Sequence, residues 1–283
     1  MQKITPFIWF DANAEEAMRT YVSLFRNGEI VDTSGVGPEG TMLLGTARIA
    51  GSNLMFLNGG PDHPITPAIS FTVGCESRDE LDTLWAGLAE GGMALMELGK
   101  YPFAERFGWI QDRFGVSWQL ILTGQPQSFM PTFLFVGDQF GKAKDAIELY
   151  TSVFPDSRIG DLPRGENGAI ANGRFWLAGQ PFSVTESDLG HPFTFTDAVS
   201  FSVDCADQTE VDRCWDALTA NGGAPAPCGW LTDPFGVSWQ IVPRRLGELM
   251  NDPDQARVGR TVQAMLQMSK LVIADLETAA NAG

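Results

Sequence analysis

The octapeptide FGVSWQLI, residues 114–121, returns nearly unchanged as FGVSWQIV at 235–242. The likeness extends well beyond it. AISFTVGC (68–75) recurs as AVSFSVDC (198–205), LWAGLAEGG (84–92) as CWDALTANGG (214–223), and the octapeptides sit within GWIQDRFGVSWQ (108–119) and GWLTDPFGVSWQ (229–240). Near the starts of the copies, YVSLF (21–25) resembles YTSVF (150–154). Self-similarity of this extent means that one structural plan is used twice, and 283 residues are enough for two ordinary cores. The copies span residues 1–123 and 131–243. Residues 124–130, opening with GQPQSF, have the Gly, Pro and polar residues of a linker, and 244–283 remain as a tail.

Within the first copy, PFIWF (6–10) is short and aromatic, as buried strands are. NAEEAMRTYVSLF (13–25) then places Ala17, Tyr21, Leu24 and Phe25 on one helical face. EIVDTS, TMLLGTARIAG and SNLMFLNGG, broken by Gly, Ser and Asn, read as a three-stranded meander, with GPEG and GGPDHP as turns. The order restarts: AISFTV as strand, SRDELDTLWAGLAE as helix with Leu81, Leu84, Trp85 and Leu88 inward, then strands ALMEL, FGWIQD and VSWQLIL. Each copy is therefore two βαβββ units, and the chain is α+β. In the tail, Val258, Val262, Met265, Leu266, Leu271 and Leu276 recur at mostly helical steps after a capping Asp252 or Asp254, which predicts a C-terminal helical tail with an apolar stripe. Such a stripe suits the covering of a sheet edge or of a partner subunit.

Nineteen basic against 35 acidic residues give a net charge of −16, which repels phosphate backbones and anionic membranes. Nucleic acid and membrane are accordingly excluded as partners. The first ten residues carry one lysine and no long apolar run, so neither a signal peptide nor a span is read there, and a cytoplasmic location is expected. Cys75, Cys205, Cys214 and Cys228 form no CxxC and are too sparse for a disulfide scaffold, so reduced thiols are expected.

With DRFGVSWQ and DPFGVSWQ placed after FGW and CGW, and LNGG after the fourth strand, the chain resembles the PhnB-like branch of the vicinal oxygen chelate superfamily. That superfamily includes glyoxalase I, bleomycin-resistance proteins and dioxygenases, and members of the branch are often labelled 3-demethylubiquinone-9 3-methyltransferase. The resemblance covers nearly the whole chain, twice. It implies two tandem domains, each a pair of βαβββ modules forming a cupped mixed sheet whose hollow holds a ligand. It also implies intrachain pairing of the two domains, or a homodimer. A methyltransferase of the usual kind would show a glycine-rich loop after its first strand in alternating parallel βα units, and this chain shows meanders without one.

In metal-using relatives the resemblance implies histidines near the start of each module's first strand and acidic side chains on the last strands. Here those positions fall on Thr5 or Pro6, Ala68, Met130 to Thr132 and Ala198, and on Gln119 and Gln240. Neutral amides are weak ligands beside imidazole or carboxylate, so neither a metal nor another cofactor is expected. The alternative is a metal-dependent lyase, isomerase or dioxygenase with atypical ligands such as Glu186 or His191.

Strand alternation puts Val116, Trp118 and Leu120 on one face and Ser117, Gln119 and Ile121 on the other. The Trp118 face suits helix packing. The Gln119 face lines the cup, where an amide both donates and accepts without a carboxylate's desolvation cost. The candidate small-molecule site is Phe7, Trp9, Ser70, Phe103, Trp109, Ser117 and Gln119 from the first copy, and Phe135, Ser200, Trp230, Ser238 and Gln240 from the second. Ala68, Ser70 and Thr72 are expected in the same cavity as Phe7 and Trp9. The two glutamines either orient a ligand or serve neighbouring strands, and Trp109 and Trp230 either stack on a ligand or pack in the core. Tyr101, Phe103 and Arg106 make the first copy's longer insert, ELGKYPFAERF, a lid over its cup or an ordinary surface loop. Cys228 is either a reactive thiol near the cup's mouth or, without a basic neighbour to activate it, inert, and His63 and His191 read either as acid, base or off-pattern ligand or as solvated loop histidines before proline.

Overall fold

A computed structural model describes residues 2–36 and 41–282; the GPEG turn lies outside the described residues. Among the described residues, sixteen strands and seven α-helices follow one another in four βαβββ modules and a tail. The first module holds β1 (Ile4–Phe10), α1 (Ala14–Leu24), β2 (Glu29–Val36), β3 (Met42–Ile49) and β4 (Ser52–Asn58). The second holds β5 (Ile69–Cys75), α2 (Arg78–Ala89), β6 (Met93–Tyr101), β7 (Ala104–Gln111) and β8 (Ser117–Leu122). The third holds β9 (Ser128–Phe135), α3 (Ala143–Val153), β10 (Arg158–Ile159), β11 (Gly173–Leu177) and β12 (Gln180–Glu186). The fourth holds β13 (Val199–Cys205), α4 (Gln208–Thr219), β14 (Ala224–Pro225), β15 (Trp230–Thr232) and β16 (Ser238–Pro243). The insert ELGKYPFAERF is no loop but the hairpin of β6 and β7, and β9 begins inside the segment read as linker.

Local chemistry sets the helix starts. Ser77 and Asp207 accept the backbone N–H of Glu80 and Glu210, and those glutamates reach back to the N–H of Glu76 and Ala206, so two otherwise orphaned donors are satisfied at each helix. The helices α1 and α3 are capped from a strand instead. Ala14 N–H donates to Asn58 Oδ1 at 2.8 Å and Ala143 N–H to Glu186 Oε1 at 3.0 Å.

Two eight-stranded mixed sheets result, ordered β14-β15-β16-β13-β1-β4-β3-β2 and β10-β11-β12-β9-β5-β8-β7-β6. Each sheet is a pair of modules, and the pairs cross the repeats: the first module joins the fourth, and the second joins the third. The seams are antiparallel, with Phe7 opposite Ser200 and Ile69 opposite Phe133. One face of each sheet packs on helices. There Trp118 and Trp239 are completely buried, Trp118 against Tyr21 and Phe25 and Trp239 against Tyr150 and Phe154.

What the repeated octapeptide does is seen at the aspartate two residues before it. Asp112 accepts from the backbone N–H of Phe114 and Val116, from the Trp118 indole at 2.8 Å and from the Tyr21 hydroxyl at 2.6 Å. Asp233 repeats every bond with Phe235, Val237, Trp239 and Tyr150. Burial raises both carboxyls above the ordinary aspartate range, and the four donors pull them partly back. Tyr21 belongs to the helix of one module and Asp112 to the other module of the same repeat, so the carboxylate locks the two modules back to back.

The tail is three helices, α5 (Arg244–Met250), α6 (Gln255–Met265) and α7 (Ile273–Asn281), rather than one striped element. Asp254 does cap α6, through Ala256 N–H. Leu271 and Leu276 are buried in the tail's own core with Leu246 and Leu249, whereas Leu266 is exposed at the helix break. The chain opens there because Met268 and Ser269 carbonyls accept from Cys228 and Gly229 N–H, both 2.7 Å, beside β15. The tail thus packs on the fourth module. No helix among the described residues is long and apolar enough to cross a membrane.

Truncating Asp112 to alanine strands four buried donors. In urea unfolding, Asp112→Ala should lose about 3–5 kcal/mol, and Tyr21→Phe, which removes one donor from a buried carboxylate, about 1–3 kcal/mol. A loss under about 1 kcal/mol for Asp112→Ala would mean that the carboxylate does not hold the modules together.

Candidate functional site

The faces turned away from the helices form the two candidate cups. In the first sheet, β1 presents Phe7 and Trp9 on one side because Ile8 and Phe10 point into the core. Across the seam lie Ser200 and Ser238, and Trp230 stands opposite Gln240. Trp230 meets Phe7 edge-on at 5.5 Å and Trp9 at 5.9 Å, so three aromatic rings from both repeats form one wall. Gln240 Nε2 donates to Ser200 Oγ at 3.0 Å. A cleft of about 690 Å³ opens beside Trp9, with Leu43, Leu57 and Gly59 among its lining.

The second sheet carries the equivalent amide bond, from Gln119 Nε2 to Ser70 Oγ at 2.8 Å. Trp109 donates its indole N–H to Ser117 Oγ at 2.7 Å, and the Thr72 and Thr132 hydroxyls meet at 2.6 Å across the seam. The floor is thus a set of small polar groups that satisfy one another in pairs. Toward the β11 edge, Arg174 and Trp176 share this face with Ser183, and the Arg158 guanidinium lies 3.3 Å over the Trp176 ring.

The expected residues therefore divide between two places. Phe7, Trp9, Ser200, Trp230, Ser238 and Gln240 gather on the first sheet, and Ser70, Trp109, Ser117 and Gln119 on the second. Ser70 and Thr72 do not share a cavity with Phe7 and Trp9, because β1 and β5 belong to different sheets. Phe135 is not on a cup face: it is completely buried on the helix side against Phe195, and Leu134 takes the place matching Trp9. Phe103 is 57% exposed at the tip of the β6-β7 hairpin, stacked on Tyr101 and edge-on to Phe107. Arg106 turns away to Asp82 on α2.

Both fallback ligands are engaged, Glu186 through both oxygens and His191 through one ring nitrogen. Glu186 is buried, and its two oxygens are taken by the N–H of Ala143 and of Ile170. His191 Nε2 is bonded to Ser187 Oγ at 2.8 Å. Among the described residues no three His, Cys, Asp or Glu side chains converge where an ion could sit. At the strand positions where the resemblance places metal ligands, the amides of Gln119 and Gln240 are each bonded to a serine and do not fit the divalent ion that the fold implies. The four cysteines are free, and burial pushes the Cys228 thiol above its ordinary range, away from a reactive thiolate.

The partnership of His63 with Asp197 is not legible in the sequence. His63 Nδ1 lies 2.7 Å from Asp197 Oδ1, and its ring lies against Trp9 with centroids 4.0 Å apart. His63 precedes β5 and Asp197 precedes β13, so only the clasp of the two crossover loops brings them together. Thr66 Oγ1 donates to the Thr194 carbonyl and Thr196 Oγ1 to the Pro64 carbonyl, both at 2.8 Å.

The family model for 3-demethylubiquinone-9 3-methyltransferase matches residues 2–121 and again 127–242. The chain belongs to this PhnB-like family. Among solved structures it is similar to a PhnB protein from Bacillus cereus, 46% identical over 43% of this chain and 100% of that one, with a TM-score of 0.41. Glyoxalase I from Zea mays is 12% identical over 83% of this chain and 89% of that one, with a TM-score of 0.55. A Bacillus subtilis protein named as a dioxygenase is 12% identical over 96% of this chain and 94% of that one, with a TM-score of 0.53. These last two share the vicinal oxygen chelate fold. No curated protein matches the sequence.

If Glu186 is a cap and not a ligand, its cost appears in stability. Glu186→Gln replaces an oxygen that accepts from Ile170 or Ala143 by an N–H facing an N–H. The variant should melt lower by about 1–3 kcal/mol equivalent and respond to divalent ions no differently from the unaltered chain; an unchanged melting temperature would contradict the capping role.

Proposed function

We propose that this PhnB-like chain is a small-molecule binding protein that works without a divalent ion, holding ligands against the cup faces of its two sheets. The observation that carries the reading is the treatment of Gln119 and Gln240. Each stands where a carboxylate ligand would be expected, and each commits an amide N–H to a seam serine, leaving its carbonyl oxygen with no protein partner among the described residues. A neutral acceptor beside aromatic walls suits an uncharged or weakly polar ligand, since it orients without the desolvation penalty of a buried anion. Fusion of two repeats supports the same reading, because one polypeptide completes both sheets. Methyl transfer, the activity in the family's description, finds no support in two mixed sheets of meanders, which differ from the doubly wound parallel sheet that binds nucleotide-like cofactors.

Two measurements test this. Protein purified without chelator should carry no stoichiometric divalent ion by native mass spectrometry. Saturating Ni, Mn, Zn or Fe(II) should leave the melting temperature in place, whereas occupancy at 100 times Kd would add about 2.7 kcal/mol. A stoichiometric ion, or a stabilisation of that size, overturns the metal-free reading in favour of a superfamily enzyme with ligands outside the usual set.

A further inference from the structure

We propose that His63 is the polar anchor of the first sheet's cup, its Nε2 accepting the proton of a phenol-like O–H or acidic N–H on a planar aromatic ligand laid against Trp9. The proposal rests on the small-molecule reading above and names the ligand class. A carboxylate only accepts, so the 2.7 Å contact assigns the shared hydrogen to His63 Nδ1, and whenever the ring carries a single hydrogen its lone pair is on Nε2. Nε2 has no protein partner among the described residues, and the His63 side chain is 27% exposed, so a ligand reaches it.

The neighbouring wall is fixed in advance. Trp9 donates its indole N–H to the Gly60 carbonyl at 3.0 Å. A Cβ at Gly59 would stand 2.1 Å from the same indole, so only glycine lets the ring lie there. Trp230 braces it from the other repeat. A cleft of about 690 Å³, the volume of an ordinary small-molecule site, is lined by Trp9 with Asp11, Leu43, Leu57 and Gly59, and His63 stands against Trp9 outside that lining. His191 offers no equivalent, because its Nε2 is already bonded to Ser187. In the bound state the ligand's O–H or N–H bond is shared with or broken toward Nε2. The proton then rests on an imidazolium held by Asp197, and the ligand anion stays paired with it.

The full chain is titrated with 4-nitrophenol below the pH at which the free probe ionises, following phenolate absorbance and tryptophan fluorescence. Saturable binding with a gain in phenolate is expected. His63→Gln should weaken it by about tenfold or more, and His191→Gln should leave it unchanged. A probe-independent readout is carbethoxylation by diethylpyrocarbonate, mapped by peptide mass: His63 should react faster than His191, and Asp197→Asn should slow it. Binding that survives His63→Gln but is lost in Trp9→Ala overturns the anchor while keeping the cup. No saturable binding to the unaltered chain, or His63 reacting no faster than His191, also overturns it. The metal-free reading is tested separately by the metal measurements, which do not involve His63.

Discussion

A carboxylate buried among four donors is the interaction on which the architecture depends. An ionised aspartate cannot leave water unless something replaces its hydration, and Asp112 finds two turn amides, an indole and a phenol. Three of those donors lie on the same short stretch of chain, so the turn before β8 has little choice of conformation. The fourth, Tyr21, comes from the helix of the other module. Once Tyr21 is tied to Asp112, the modules of one repeat sit back to back with their helices between them, and neither can extend its own sheet into the other. The edge of β1 is then left for β13 and the edge of β5 for β9, both from the second repeat. Both cups therefore lie across the boundary between repeats.

Much of this was legible in the residues. The duplication, the βαβββ order, the cap of α6 at Asp254 and the division of β8 into a Trp118 face and a Gln119 face all follow from local chemistry and period two. Sheet partnership does not, because it is decided by a hydroxyl and a carboxylate 91 residues apart whose meeting leaves no local trace. Phe135 shows the complementary failure. In SFMPTFLFV nearly every residue is apolar, so alternation alone marks no face. What settles it is the seam: Thr132 bonds Thr72 on the cup side, so Phe133 and Phe135 must point the other way. The aspartates were visible at matched places in both copies, but a carboxylate before FGVSWQ resembles any turn residue until its donors are known.

The two cup faces have diverged in chemistry. The first sheet combines Phe7, Trp9 and Trp230 with an imidazole. The second combines Ser70, Thr72, Thr132 and Ser117 with Trp109, and has Arg174 and the stacked Arg158 toward one edge. What they share is the amide-to-serine bond at the seam. A glutamate in place of Gln119 or Gln240 would bury a charge without a nearby cation. A hydrophobic residue would leave the seam serine's oxygen without that donor. The amide is the side chain that satisfies the floor without burying a charge.

Divergence of this kind requires the fusion. In a symmetric homodimer every side chain appears in both sites, so a histidine that suits one ligand is imposed on the other. Here the crossover loops show how a single chain escapes that constraint. Counting back from the matched threonines, Thr66 and Thr196, the residue in the place of His63 is Phe193, and the residue in the place of Asp197 is Pro67. The second loop is longer between its His-Pro pair and its strand, which carries His191 past the clasp to Ser187. Aligning one His-Pro with the other hides this, since the sequence match and the spatial match differ in register. A histidine and a carboxylate at one pair of loop positions, and a phenylalanine and a proline at the corresponding pair, are alternatives that only two independently varying copies can hold at once.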